Sequence, residues 1–584
     1  MAEPTIQLGN GNWAGKSDSL LGFSIQNGRF YEQEFTFSRS TTGTYTDKDG
    51  HIQEMPYNLA LYSEEFNNAA YYLTESSITE NAINSPIGTL TADKLIENTS
   101  NNLHRVGQGS ISVISGEVYT FSFYVKAAER NELELQRINT SGTVFNSISV
   151  TTANLTNGTL SVGSNVTASS IEDVGDGWYR ISISLTAIAN GSGGFNIGMQ
   201  KNGSVSYQGD GVSGVYLWGF QAVKGTSAKT YFPTTTRLNM PRVDYLNNSK
   251  GSLILEPQRT NLVRYSEDFS NAAWQVFRGS ILTSTTISPE GIYNAYRYEE
   301  NADNGQHFLR TQNISMTSGL QYTASVFVRA AELTLISLGS SNSSLWSASA
   351  TFNLSNGLVT AGSGTIEPIG SNWYRCAVSG LCSTTSTNVG FEITTSSGVG
   401  SLGDGLDVYG AQLEAGSNPT TLINTSGSSV TRNADACSLT NVADRIGQTE
   451  GTIYGEFDFK DHSTGTRRLL CLTDGSSSNR ITTYINTLDK LSVYIVNGGA
   501  AQADIQATVL TEGTIKYALA YANNSIKLYL NGTQVGTDTS ATIPATSDFL
   551  VGFEHSGSSS YFNWKNCQIY STALSDTELA TLTT

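Results

Sequence analysis

Two long stretches of this chain are copies of each other. Asn58–Tyr71 (NLALYSEEFNNAAY) returns 203 residues later as Asn261–Trp274 (NLVRYSEDFSNAAW), with nine of 14 positions identical. Ser115–Glu129 (SGEVYTFSFYVKAAE) returns at the same offset as Ser318–Glu332 (SGLQYTASVFVRAAE), with nine of 15 identical. Later blocks keep their order while the loops between them shorten: Gly175–Arg180 (GDGWYR) corresponds to Gly370–Arg375 (GSNWYR), and Trp218–Gln221 (WGFQ) to Tyr409–Gln412 (YGAQ). Four collinear blocks define two homologous modules, 58–233 and 261–424.

Each module reads as strands. Tyr119–Val125 and Trp178–Leu185 alternate apolar and polar residues and are rich in aromatic and β-branched types. Asn157-Gly158 and Asn356-Gly357 punctuate the gaps as turns. Short strands with regular turn signals predict a β-sandwich or jelly roll. Beyond residue 447 the pattern differs but stays β, through Thr452–Phe459, Arg480–Ile485, Leu491–Ile495 and Ser525–Leu530, with a hairpin signal at Asn531-Gly532. Ser575–Glu578 is a capping box flanked by Leu574 and Leu579, which predicts one short terminal helix. The expected organisation is an N-terminal region 1–57, jelly roll 58–233, bridge 234–260, jelly roll 261–424, bridge 425–446 and a third module 447–584.

Charge excludes several functions. Lys plus Arg is 33 and Asp plus Glu is 50, a net −17, so the chain lacks the clustered positive charge that binds nucleic acid or anionic lipid. No run approaches the ~18 apolar residues of a membrane span, and the first residues lack the pattern of a secretory signal. We expect a soluble product of a cytosol with no membrane insertion. Its cysteines, Cys376, Cys382, Cys437, Cys471 and Cys567, are odd in number and have no metal-ligand spacing, so buried free thiols are expected.

The repeated blocks, with Leu255–Leu262 (LEPQRTNL) and Phe37–Asp47 (FSRSTTGTYTD), resemble the carbohydrate-binding-like jelly rolls of tailed-phage virion proteins. The last module, with Leu528–Gly532 (LYLNG) and Ile569–Leu579 (IYSTALSDTEL), is similar to concanavalin A-like (laminin-G-like) lectin sandwiches. Together the resemblances span 37–584. They imply an all-β, multidomain virion protein, assembled in the host cytoplasm: a tail fibre or adhesin, commonly a homotrimer, that binds bacterial surface polysaccharide. Residues 1–57 would dock it to other virion structural proteins. A head or tail decoration without a receptor role and a polysaccharide depolymerase are the alternatives.

Candidate glycan contacts are Asp474, Asn486, His555, Tyr561 and Trp564, chosen as polar or aromatic residues at turns of the last module. The paired aromatics Trp178-Tyr179 and Trp373-Tyr374 are expected to pack, because alternation lets only one of each pair face the core. His104 and His307 occupy equivalent repeat positions without acidic or second-histidine partners, so a structural role is expected. Gly9–Ser17 (GNGNWAGKS) resembles a phosphate-binding loop but has no preceding apolar strand and no following helical pattern. Glu456–Asp461 (EFDFKD) puts Glu456 and Asp458 on one strand face, as a glycosidase needs, yet Asp461 has the opposite parity. The Asp-Gly pairs at 210 and 404 are turns, and scattered pairs cannot supply the six or more oxygens calcium wants. We expect no metal, no cofactor and no catalysis, with a bound calcium ion as the alternative for the cofactor.

Overall fold

The alternation of inward and outward side chains is realised throughout: a computed structural model shows 49 strands and one helix among the described residues. It describes all residues except 1, 17–18, 25–28, 56–57, 149–150, 230, 236–238, 285, 312, 397, 461–464 and 555–559. The chain forms two units, residues 55–238 and residues 1–54 with 239–584.

The first unit is a sandwich of two six-stranded antiparallel sheets. One runs Ala168–Gly175, Trp178–Thr186, Val118–Ala127, Gly214–Lys224, Ala92–Glu97, Ser76–Ile83; the other runs Thr159–Ser161, Thr151–Asn154, Glu132–Asn139, Gly191–Gln200, Arg105–Val113, Tyr72–Thr74. On the central strand Val118–Ala127, Phe121, Phe123 and Val125 enter the main core. The opposite face is also covered, because Tyr124 packs with Trp218 and Tyr231 beside Trp178.

The second repeat, within the other unit, has the same strand order. Its sheets run Thr365–Gly370, Trp373–Leu381, Gln321–Ala330, Gly405–Ala415, Tyr296–Glu300, Gly279–Thr283 and Leu358–Gly362, Ser349–Asn353, Leu335–Ser340, Phe391–Ser396, His307–Thr311, Trp274–Phe277. The glycine kept in WGFQ and YGAQ has a backbone reason. Gly219 and Gly410 lie next to a register shift with φ +62° and +55°, where a Cβ would press on Tyr124 at 3.1 Å and on Phe327 at 2.9 Å.

The C-terminal sandwich draws strands from well outside 447–584. In its eight-stranded sheet, one edge of Phe562–Tyr570 pairs with Glu450–Phe459. The other edge pairs with two short strands in succession, Ile6–Gly9 (Ile6 opposite Ile569) and Ser252–Leu255 (Leu253 opposite Trp564). The facing nine-stranded sheet begins with Ala14–Lys16, Ser19–Ser24 and Arg29–Ser38 and continues through Ala436–Leu439, Asp548–Val551, Arg467–Thr473, Arg480–Ile485, Lys490–Asn497 and Ala500–Val509. Ile6, Leu8, Leu20, Phe35, Phe37, Leu253 and Leu255 therefore share a core with Phe457, Phe549 and Trp564. Pairing both edges removes unpaired backbone groups that would otherwise invite aggregation.

The terminal helix is Asp576–Thr583. The Glu578 carboxylate accepts from the Ser575 backbone N–H at 3.0 Å and from its hydroxyl at 2.8 Å. Leu574 and Leu579 pack with Tyr454, Tyr529 and Tyr570, covering part of the outer face of the eight-stranded sheet.

Candidate functional site

The four described candidates of the last module do not converge. Asp474 is exposed and organises its own turn, accepting from the Ser476 backbone N–H (2.9 Å) and hydroxyl (2.6 Å) and from the Asn479 amide (2.8 Å). These bonds hold its carboxyl below the usual range. Asn486 does the same in the next turn, accepting from the backbone N–H of Leu488 and Lys490. Tyr561 is part-buried, and burial raises its phenol well above the ordinary value. His555 lies outside the described residues.

Trp564 is a correction. It is 1% exposed and packs against Phe457 and Phe562, so it cannot present a ring to a sugar. The reason is strand parity: Phe562 and Trp564 point inward while Asn563 and Lys565 point outward.

The other singled-out residues are structural. Trp178 and Trp373 are buried on the outer face of their sheets, while Tyr179 and Tyr374 pack against the sandwich cores. Both aromatics of each pair thus pack, on opposite faces. Both ring nitrogens of buried His104 meet backbone carbonyls, Glu75 O at 2.6 Å and Tyr207 O at 3.2 Å. His307 repeats this with Gly305 O at 2.9 Å and Asn301 O at 3.2 Å. A buried strand, Ile6–Gly9, does precede the loop after Gly9, against the expectation, but the loop leads into the strand Ala14–Lys16, not a helix; Ser17 lies outside the described residues. Asp458 is ion-paired to Lys565 at 2.7 Å and accepts from Thr514, Glu456 accepts from the Tyr454 hydroxyl at 3.2 Å, and Asp461 is outside the described residues. Asp210 accepts from the backbone of Val212 and Ser213 as a turn residue. All five cysteines are free and buried. Among the described residues no group of three or more His, Cys, Asp or Glu is arranged to hold a metal ion. No described helix is long and apolar enough to cross a membrane.

Two features were missed by reading turns alone. The first is a polar face with aromatic rings. On the nine-stranded sheet Ile481, Ile485, Val493 and Ile495 enter the core, so Arg480, Tyr484 and Tyr494 face outward. Both tyrosines are half-buried and each carries a guanidinium over its ring: Arg468 lies 5.3 Å from the Tyr484 centroid and Arg480 5.7 Å from that of Tyr494. Glu554 ties the two arginines together, at 2.9 Å from Arg468 and 3.9 Å from Arg480. Tyr484 and Tyr494 are diagonal neighbours, since Tyr484 opposes Ser492 and Thr482 opposes Tyr494. Alternation within Arg480–Ile485 carried this signal.

The second is a buried ionic cluster. Arg39 meets Asp435 at 2.8 Å; Arg242 meets Asp435 at 2.6 Å and Glu256 at 2.8 Å; Arg432 meets Glu256 at 2.8 Å. Burial pushes the Glu256 carboxyl up, but Arg432, Arg242 and Thr421 outweigh it and hold it at about 2. Asp435 also accepts from the Glu256 backbone N–H at 2.8 Å. Such a cluster contributes little net stability, since desolvation opposes attraction, but any missing member is costly. It fixes where the N-terminal segment, the two bridges and the end of the second jelly roll meet.

The class of the C-terminal sandwich now follows. Residues 433–580 match the family model of the Concanavalin A-like lectin/glucanases superfamily. That sandwich is a concanavalin A-like lectin (laminin-G-like) domain in an otherwise all-β chain. No curated protein matches the chain. Solved structures that resemble part of it include the Ruminococcus gnavus IT-sialidase CBM40, at 20% identity and TM-score 0.21, covering 24% of this chain and 84% of that one. The SAP-like pentraxin of Limulus polyphemus (14%, TM-score 0.20) covers 25% of this chain and 72% of its own. Domain 4 of AbnA, a GH43 extracellular arabinanase from Geobacillus stearothermophilus solved with arabinotriose (12%, TM-score 0.21), covers 26% and 73%. At these scores none bears on what this chain binds.

Proposed function

We propose that this chain is a glycan-binding component of a phage virion, a tail fibre or adhesin that attaches to polysaccharide on the host surface. Glycan binding rests on one observation above the others: the outward pair Tyr484 and Tyr494, rigidified by Arg468, Arg480 and Glu554, on the open face of a lectin-type sheet. Sugar rings stack on half-exposed aromatics and take hydrogen bonds from fixed polar neighbours. The virion assignment, the homotrimer and attachment to other virion proteins are supported by the resemblance of the repeated blocks. Several copies would make individually weak sites useful through avidity. Hydrolysis is disfavoured because Asp458 is held by Lys565 and Thr514.

The test is binding of fluorescently labelled protein to susceptible cells before and after periodate oxidation of their surface sugars. Saturable binding lost on oxidation, and lost again in a Tyr484→Ala/Tyr494→Ala variant, is expected. Binding that survives oxidation would overturn the glycan reading. A folded protein that binds no cells would point to a decoration role.

A further inference from the structure

The two repeats differ beside residue 61 of the first and residue 264 of the second. In the first, Gln108 is buried and plugs the gap beside residue 61: its side chain accepts from the Leu61 N–H at 2.9 Å and donates to the Leu61 carbonyl at 2.9 Å. The equivalent residues of the second repeat, at the same offset of 203, are Thr311 and Arg264. Thr311 is too short to reach across; its hydroxyl instead accepts from the Phe391 N–H at 2.9 Å. The gap opens into a cleft of about 340 Å³, within the size range of small-molecule sites.

The walls of this cleft have unused chemistry. Trp274 and half-buried Tyr265 form the apolar part, and the indole N–H donates to the Tyr265 carbonyl at 2.9 Å, fixing the ring. Arg264, Asn313, Ser315 and Ser428 line the rest and are exposed. Among the described residues, neither these four side chains nor the Tyr265 hydroxyl has a hydrogen-bond or ion-pair partner. The lining holds one cation and no acid, in a chain of net charge −17.

We infer that this cleft of the second jelly roll binds one acidic sugar residue, a hexuronic acid unit, with its carboxylate on the Arg264 guanidinium. The hydroxyls and amide take the ring hydroxyls, and Tyr265 with Trp274 supplies the apolar wall. A neutral sugar would leave the guanidinium without the partner that the site offers. In the first repeat Gln108 occupies the equivalent gap and Leu61 carries no charge. This inference rests on the reading of the chain as glycan-binding, and assigns to the second jelly roll a role separate from the tyrosine pair of the C-terminal sandwich.

Methyl β-glucuronide and methyl β-glucoside, titrated separately into the full chain and followed by ligand-observed NMR, test it. The glucuronide is expected to bind at least tenfold more tightly than the glucoside. Arg264→Gln should abolish that preference, and so should Ser428→Tyr, which fills the cleft and keeps the charge. Both positions are exposed, so folding is expected to survive, checked by circular dichroism. The Tyr484→Ala/Tyr494→Ala variant should keep the preference. Equal binding of the two sugars, absence of glucuronide binding, or a preference that survives both cleft variants overturns the inference. If cell binding is still lost on periodate in those cases, the glycan reading stands without the cleft; if it is not, that reading fails as well.

Discussion

The Arg39 guanidinium and the Asp435 carboxylate meet at 2.8 Å, both fully buried, across 396 positions of sequence. Asp435 also holds Arg242 at 2.6 Å, so one carboxylate serves two cations. Replacing it by asparagine leaves the Arg39 guanidinium buried without a counter-charge and Arg242 with Glu256 alone. Asp435→Asn should therefore destabilise the unit containing 1–54 and 239–584 by about 3–5 kcal/mol. Thermal unfolding would show the corresponding transition moved down, with that of unit 55–238 unmoved. Equal transitions in both proteins would mean the cluster is dispensable.

The same unit should gain stability on mild acidification through Asp244. Burial raises its carboxyl from 3.8 to about 6. Between those values the folded state holds a proton that the unfolded state has lost, so stability is complete below the lower value and falls as pH rises through the upper. A shift of about two pH units corresponds to about 3 kcal/mol. The melting temperature at pH 5 should exceed that at pH 7, and Asp244→Asn should shrink the difference. Glu256, held at about 2, opposes this only where the pH falls into the ordinary carboxylate range and the unfolded chain takes up a proton that the folded state does not, so its effect between pH 5 and 7 is small.

Trp373 is buried outside the main core of its jelly roll, with its indole N–H donating to the Ile287 carbonyl at 3.0 Å. Trp373→Ala removes both the packing and the hydrogen bond and should cost about 3–5 kcal/mol. Denaturant titration would report this as a lower midpoint. A change below about 1 kcal/mol would mean that the outer cluster collapses to fill the space.

Removing residues 2–9 should damage the far end of the chain. Ile6 and Leu8 would leave the core, at about 1.5–3 kcal/mol each. Half of one edge of Phe562–Tyr570 would also lose its partner. Limited proteolysis should then cut within 450–584, and light scattering should show association. For the same reason, truncation after residue 446 is a poor test of where glycans bind, since it strands the N-terminal strands as well. Point variants at Tyr484 and Tyr494 are the cleaner probe.

Much of this architecture was legible locally. The repeat announced two modules, and both have the same strand order. The capping box at Ser575 and the flanking leucines placed the helix. Trp564 was readable too, since Phe562 and Trp564 share a parity. Beyond it the strand shifts register opposite Glu456 and Phe457, and such a bulge is invisible without its partner strand. The N-terminal strands gave no such sign. Nothing in Ile6–Gly9 names Ile569 as its neighbour, because strand pairing is decided by edges that only the folded sheet presents. Arg39, Arg242, Glu256, Arg432 and Asp435 looked like ordinary charges of loops and bridges, and only assembly shows them buried together.

The shared sandwich also imposes a schedule. On a ribosome moving at about 5–20 residues per second, residues 6–9 emerge roughly half a minute to two minutes before residues 566–569. Phe35 and Phe37 wait about as long for Phe549 and their other late partners. During that interval residues 55–238 already hold every strand of their own sheets. Newly made chains on crowded polysomes, with their early strands waiting, are where intermolecular strand exchange between copies would begin.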